Sequence, residues 1–376
     1  MLFKDLNIIA PILSAIEKTG YTNPTPIQEQ AIPVIMNGKD IIGCAQTGTG
    51  KTAAFAIPIL QNIAQKTNTP NYISTLILTP TRELAVQIND NFGLYKGTTG
   101  ITHTVIVGGV SQNKQVAAVK KGAQIVIATP GRLLDLIKQG LVNIKQVETL
   151  VLDEADTMLD MGFIHDIKKL LTYIPKQRQT LFFSATMPNT IRSFAQSILK
   201  NPVEINVSPV SSTSDSVKQS VFIVEQNQKD DLLFTILKAQ NETRSLIFTR
   251  TKHGANKLLA KLTKIGVKGA AIHGNKSQSA RQRALTDFKE NNITVLIATD
   301  IAARGIDIDN LKYVINYEIP NIAETYVHRI GRTGRGGNFG EALSFCSSQE
   351  RSDFKSIEKL IGFKVQVNDA ANYALV

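Results

Sequence analysis

Val151-Leu152-Asp153-Glu154-Ala155-Asp156 sets two apolar residues before four that carry three carboxylates. Alone, this could be an acidic turn closing a strand, with each carboxylate a helix N-cap. Roughly a hundred residues upstream lies Ala45-Gln46-Thr47-Gly48-Thr49-Gly50-Lys51-Thr52. Glycines at 48 and 50 let backbone N–H groups turn inward around an anion, and a helix starting at Lys51 adds its positive end. A phosphate cradle followed by an acidic strand end is the pairing that holds a nucleoside triphosphate and its metal.

The reading that decides the fold is therefore a P-loop NTPase. Ile41-Ile42-Gly43-Cys44 reads as the strand entering the loop, and Ala53-Ala54-Phe55-Ala56 as the helix leaving it. The general loop pattern has Gly where this chain has Ala45, a departure that leaves the loop chemistry intact. Residues 45–52 form the phosphate cradle. Lys51 is expected to reach the β- and γ-phosphates, and Thr52 to hold Mg²⁺ through its hydroxyl. Asp153 is expected to support Mg²⁺, directly or through water, and Glu154 to orient or deprotonate the attacking water.

A chain of 376 residues is long for one core and comfortable for two domains. Its 43% hydrophobic content is that of a globular protein. No apolar run reaches about 18 residues, which excludes a transmembrane helix, and Met1-Leu2-Phe3-Lys4-Asp5-Leu6-Asn7 is unlike a secretion signal. Cys44 and Cys346 are the only cysteines, and each reads as packing within a strand. A cytoplasmic protein is expected. The net charge is +11, shared by the two halves of the chain. That is the footprint of a nucleic-acid track across both halves, or of no more than a basic globular protein.

Short apolar runs alternate with helical patterns throughout. Strands are expected at 41–42, 75–79, 105–107, 125–128, 150–152 and 180–183, then at 221–224, 245–248, 270–272, 294–298, 313–315 and 342–345. Such runs, separated by helices, predict parallel sheets covered on both faces. Ser208-Pro209-Val210-Ser211-Ser212-Thr213-Ser214-Asp215-Ser216 reads as a flexible linker. The boundaries drawn are an ATP-binding domain over 1–207, a linker over 208–218, a second domain over 219–362 and a short tail over 363–376. Nearly every polar motif follows a strand, where ligands bind in open α/β sheets.

With these motifs in place the chain resembles the DEAD-box RNA helicases over nearly its whole length, closest to the bacterial RhlE-like subgroup. Asp153-Glu154-Ala155-Asp156 is the string from which that family takes its name. The resemblance implies an α/β fold of two tandem RecA-like domains, each a parallel sheet flanked by helices, joined by a flexible linker. Gly20-Tyr21-Thr22-Asn23-Pro24-Thr25-Pro26-Ile27-Gln28 is similar to the Q motif, with Phe3 its upstream aromatic, and implies adenine recognition by Gln28. Thr81-Arg82, Gly108-Gly109 and Thr129-Pro130-Gly131-Arg132 match RNA-contacting elements of the first domain. Each could equally be a cap or turn; physically they suit a phosphate backbone. Ser184-Ala185-Thr186 matches the element that couples hydrolysis to unwinding, and its two hydroxyls near Asp153 and Asp156 could relay hydrogen-bond changes.

In the second domain Thr249, Gln278, Arg281, Thr299 and Asp300 are implied to face RNA, and Gly305 and Asp307 the nucleotide. The family usually has His-Gly-Asp where this chain has His273-Gly274-Asn275. His328-Arg329-Ile330-Gly331-Arg332-Thr333-Gly334-Arg335 resembles the arginine-finger motif. His328, Arg332 and Arg335 are implied in catalysis, the arginines on the γ-phosphate, with basic residues three apart sharing one helical face.

The resemblance implies an ATP- and Mg²⁺-dependent monomeric RNA helicase. It locally unwinds or remodels duplexes and RNA–protein complexes by RNA-stimulated hydrolysis and closure of the two domains. Its RNA is single-stranded or a short duplex, bound largely regardless of sequence. Protein partners would come from ribosome assembly or RNA decay, with no membrane involved. An ATP-gated RNA clamp and a DNA translocase are the alternatives. A dead scaffold is disfavoured by the presence of Lys51, Asp153, Glu154, Arg332 and Arg335.

Overall fold

A computed structural model describes the chain except for residues 47, 68–70, 208–216, 240–242, 304–305, 307, 309–310, 335–338 and 370–376. It divides into two compact units, Met1–Pro209 and Val210–Val376. The expected linker lies mostly outside the described residues.

The first unit contains β1 (Ile41–Ala45), β2 (Thr75–Leu78), β3 (His103–Ile106), β4 (Ile125–Ala128), β5 (Thr149–Leu152), β6 (Gln179–Ser184) and β7 (Val203–Val207). The second contains β8 (Val217–Ile223), β9 (Ser245–Thr249), β10 (Gly269–Ile272), β11 (Val295–Thr299), β12 (Tyr313–Asn316), β13 (Gly340–Cys346) and β14 (Gln366–Val367). Every strand expected from sequence is present. Strand order is β3-β4-β2-β5-β6-β1-β7 in one sheet and β10-β11-β9-β12-β13-β8-β14 in the other. The second order is the first displaced by seven strands, so the two units repeat one topology. All strand pairs are parallel.

Two edge strands were not anticipated. β7 is mostly exposed, so it shows no apolar run to betray it. β14 falls within residues 363–376, set apart as a tail from sequence. It pairs with β8 at Gln366↔Ser220 and Val367↔Val221, and Val365 beside it is buried. Two residues are too few to register as a strand pattern.

Central strands are apolar on both faces because helices cover both. The helix Lys51–Ala64 is buried along almost its whole length, and Phe55 packs on Phe183 at 5.4 Å between ring centroids. The second unit has a charged group at its centre. Lys229 is fully buried; its ammonium pairs with Glu350 at 2.5 Å and donates to the Tyr317 carbonyl at 2.9 Å. Glu350 also accepts from the Ser347 N–H and hydroxyl and from the Ile319 N–H. Burial raises the Glu350 pKa, but the Lys229 and Ser347 bonds outweigh it and hold the carboxyl below its ordinary range.

Removing one partner of a buried, hydrogen-bonded pair leaves the other charge uncompensated. Lys229→Ala is expected to cost the second unit about 3–5 kcal/mol, read as a lower urea midpoint. Because the Glu350 pKa is depressed on folding, its contribution is present above the ordinary carboxylate pKa and is lost as pH falls through the folded value. The variant's deficit should therefore narrow in acid.

Candidate nucleotide and RNA site

Register places the chemistry in a single row. Cys44 is opposite Ser184, Phe182 opposite Leu152, Leu152 opposite Leu78, Leu78 opposite Ala128 and Ala128 opposite Ile106. The C-terminal ends of six strands thus come abreast, and the residues that follow them line one edge of the sheet. In spatial order these are Gly108-Gly109 after β3, Thr129 to Arg132 after β4, Thr81-Arg82 after β2, Asp153-Glu154 after β5, Ser184 to Thr186 ending β6, and the cradle after β1. The residues expected to face RNA occupy one half of that edge. Those expected to face nucleotide occupy the other.

On the nucleotide half, Gly48 and Gly50 adopt positive φ of 86° and 88°. Lys51 opens its helix buried, with its ammonium 2.5 Å from the Ala45 carbonyl at the mouth of the loop. Thr49 donates to the Gln46 carbonyl at 2.8 Å, and Thr52 sits half-buried on the first turn. Thr47 lies outside the described residues. Gln28 donates to the Gly50 carbonyl at 3.1 Å, while its side-chain oxygen accepts from the Thr25 N–H at 2.9 Å. A Cβ on Gly50 would collide with the Gln28 amide, so this position must be glycine for Gln28 to reach the loop. Phe3 is buried in the core, its ring stacked on Tyr21 at 6.4 Å.

Asp153 is buried at the end of β5 and accepts the Glu154 N–H at 3.0 Å. Burial raises its pKa, Lys51 and the Glu154 N–H act against this, and Asp156 adds to it; the net shift is upward. Glu154 is left-handed at φ 52° and ψ 52°, which turns its buried side chain out of the strand direction. A non-glycine residue there carries on the order of 1–2 kcal/mol of strain, and such strain clusters at functional sites.

Asp156 is a carboxylate expected from sequence near the Ser184 and Thr186 hydroxyls. Its Oδ2 accepts from the Ala185 N–H (3.1 Å), the Thr186 N–H (2.8 Å) and the Thr186 hydroxyl (3.0 Å). Ser184 donates to the Thr186 carbonyl at 2.7 Å. This buried carboxylate clasps the coupling element to the acidic stretch. Two adjacent strand ends carrying Asp and Ser-Ala-Thr were the available signal; their register was not.

On the RNA half, the Arg82 guanidinium lies against Gly108 and Gly109, where a Cβ on either would crowd it. Arg132 donates to the Val110 carbonyl at 3.1 Å. The Thr81 hydroxyl caps its helix by accepting the Leu84 N–H at 3.3 Å, and Thr129 precedes Pro130-Gly131 at the next helix start. Strands β3, β4 and β2 thereby bring two guanidiniums beside exposed backbone.

The second unit repeats the arrangement. Thr249 ends β9 buried, Thr299 ends β11, and Gln278 and the buried Arg281 begin the helix Gln278–Lys289. Asp300, expected on the RNA side, engages both carboxylate oxygens with Arg329, at 2.5 and 2.9 Å. Arg329 was overlooked. Its guanidinium is buried, also donates to Asn316 and to the Glu318 carbonyl, and lies 4.9 Å from the Phe248 ring centroid.

The expected shared helical face is corrected here. The helix Ala323–Ile330 stops at Gly331, so Arg332 lies beyond it, buried, with a bond to the Ile306 carbonyl at 2.8 Å. His328 is half-buried on the helix. Arg335, Gly305 and Asp307 lie outside the described residues.

A family model described as DEAD/DEAH box helicase matches residues 25–194, and one described as helicase conserved C-terminal domain matches 228–337. The DEAD-box ATP-dependent RNA helicase RhpA of Helicobacter pylori is 42% identical over 367 residues, covering 97% of this chain and 73% of RhpA. The DEAD-box ATP-dependent RNA helicase CshA of Streptococcus pneumoniae is 43% identical, covering 96% of this chain and 68% of CshA. Among solved structures, S. cerevisiae Dbp5 bound to RNA and ADP BeF3 superposes with a TM-score of 0.89 at 32% identity, covering 99% of this chain and 96% of that one. With family models matching both units and relatives of this identity covering 96–97% of the chain, the chain belongs to the DEAD-box ATP-dependent RNA helicases.

Proposed function

We propose that this chain couples ATP hydrolysis to local unwinding or remodelling of RNA, through groups on the shared strand edge of each unit. One observation carries the reading: the Asp156 clasp on Ala185 and Thr186 ties the segment after β5, which bears Asp153 and Glu154, to the Ser184–Thr186 element at the end of β6. A change at the γ-phosphate that moves the segment after β5 is passed to the Ser184–Thr186 element. Phosphate-binding and water-orienting groups are carried by the first unit, and the proposed arginine fingers, Arg332 and Arg335, by the second. Turnover is therefore expected to need the whole chain. Assignment to the RhlE-like subgroup, a monomeric state, partners from ribosome assembly or RNA decay and a cytoplasmic location remain finer parts of the same proposal. No helix among the described residues is long and apolar enough to cross a membrane.

Thr52 and Asp153 suit Mg²⁺: both offer hard oxygen donors, and the burial that raises the Asp153 pKa is the penalty a dication would relieve. When bound, Mg²⁺ would neutralise charge on the phosphate oxygens. Lys51 is placed to bind the phosphates and Glu154 to hold the proton of the attacking water.

Glu154→Gln is expected to keep ATP affinity and to lower RNA-stimulated turnover by about 10²-fold or more, in parallel with loss of strand release from a short RNA duplex. Turnover within a few fold of wild type would remove Glu154 from the chemistry. Stimulation of the intact chain by DNA and not by RNA would overturn the substrate.

Asp153→Asn tests the cost of the buried carboxylate. A carboxyl whose folded pKa lies above its unfolded value stabilises the fold while protonated, and loses that contribution as pH rises through the folded value. Ionisation of Asp153 therefore weighs against folding as pH rises. The variant keeps the acceptor for the Glu154 N–H. Without nucleotide or Mg²⁺ it is expected to melt higher than wild type at neutral pH, with a gain that shrinks below the ordinary carboxylate range. An unchanged or lower Tm at neutral pH would show that burial does not dominate there.

A further inference from the structure

The helix Lys252–Lys264 begins at the motif-bearing edge of the second unit, just after β9, and returns the chain to the opposite edge for β10. It contains no acidic residue. Ala255, Leu258 and Leu262 face the core. At 100° per residue, His253, Lys257, Lys261 and Lys264 fall within about 80° of one another on the outer side. His253, Lys257 and Lys264 are exposed, and Lys268 follows exposed beyond the helix. Lys261 pairs with Asp230. Among the described residues no carboxylate pairs with Lys257, Lys264 or Lys268. A solvated helix face ordinarily interleaves both signs. The helix Arg351–Ile361 does so, with Asp353 and Glu358 among its basic residues.

The stripe continues a positive corner at the motif edge. Lys252 donates to Asn275 at 3.1 Å. His273 is pushed down first by burial and then by Lys276, Lys252, Arg281 and His253, all of one sign. Positive charge therefore runs from the edge bearing Thr249, Gln278 and Arg281 down the flank of the unit.

We propose that the outer face of this helix is an accessory RNA track, on which Lys257 and Lys264 hold the phosphate backbone of single-stranded RNA leaving the motif edge. The proposal rests on the helicase reading. The two lysines lie about 10 Å apart along the helix axis, so each meets its own phosphate. Lysine is a compact point charge, so the track adds affinity without sequence preference.

The test compares the full-length chain with its Lys257→Gln/Lys264→Gln variant in anisotropy titrations. One RNA strand is just long enough to stimulate ATPase; the other is the same strand with a single-stranded extension. Both substitutions are on an exposed helix face, and circular dichroism and Tm report the fold. Wild type is expected to bind the extended strand more tightly. The variant should lose that increment, on the order of tenfold at 0.1 M salt, with the salt slope falling by about 0.7 per lysine. Short-strand affinity and short-strand ATPase should be unchanged. A variant that keeps the increment overturns the track, as does one that loses short- and extended-strand binding equally. Failure of the short strand to stimulate wild-type ATPase would instead overturn the helicase reading, so the two failures are distinguishable.

Discussion

Everything in the site depends on parallel strands held in step. Because each crossover returns the chain to the same end of the sheet, the segment after every strand emerges on one edge, about 4.8 Å from its neighbour. Cys44 opposite Ser184, Phe182 opposite Leu152 and Leu78 opposite Ala128 fix that row. A slip of one residue in any pair would reverse its side chains and withdraw its loop from the row. The order β3-β4-β2-β5-β6-β1 then does what no single motif does, sorting the groups proposed to bind the RNA backbone to one side and those proposed to bind phosphate to the other.

Beside these motifs each unit places a buried charged group with little freedom to move. In the first, Asp156 accepts three hydrogen bonds from Ala185 and Thr186. In the second, Arg329 joins Asp300, after β11, to Asn316 and Glu318, at and after β12. Both charges are out of water, so breaking either network exposes an uncompensated ion to a poorly polar surrounding, a cost of several kcal/mol. Such a group resists small adjustments and passes displacement on. That is the property expected of a relay between two ligands, and apolar packing of the same volume would lack it.

The sequence showed the parts and not their alignment. The cradle and the strands carry their signals locally: glycines at fixed offsets, short apolar runs, polar residues at strand ends. β7 and β14 escaped because Val203–Val207 is half solvated and Gln366–Val367 is too short for any period. Arg329 escaped although its neighbours His328 and Arg332 were singled out. One residue on a helix is a rotation of about 100°, which separates a half-buried His328 from a buried guanidinium, and no local pattern says which face is inward. The helix ending at Gly331 likewise undid a periodicity argument that assumed it continued. Asp156 was visible as a residue; its role lies in a pairing of β5 with β6 that only the folded sheet provides.

Stability and chemistry are carried in different places. The first unit burdens itself where it would work: burial raises the Asp153 pKa, so its ionisation carries a cost, and Glu154 holds a backbone conformation that glycine would adopt freely. Glycine would remove the strain together with the side chain proposed to take the water's proton, so the strain is inseparable from the position. The second unit places its most heavily bonded buried pair, Lys229 and Glu350, on residues for which no ligand contact is expected, with Arg250 at 3.8 Å from Glu350 and paired with Asp353. That network fixes Arg250, and through it the end of β9 beside Thr249. Rigidity there holds the motif-bearing edge of the second unit still.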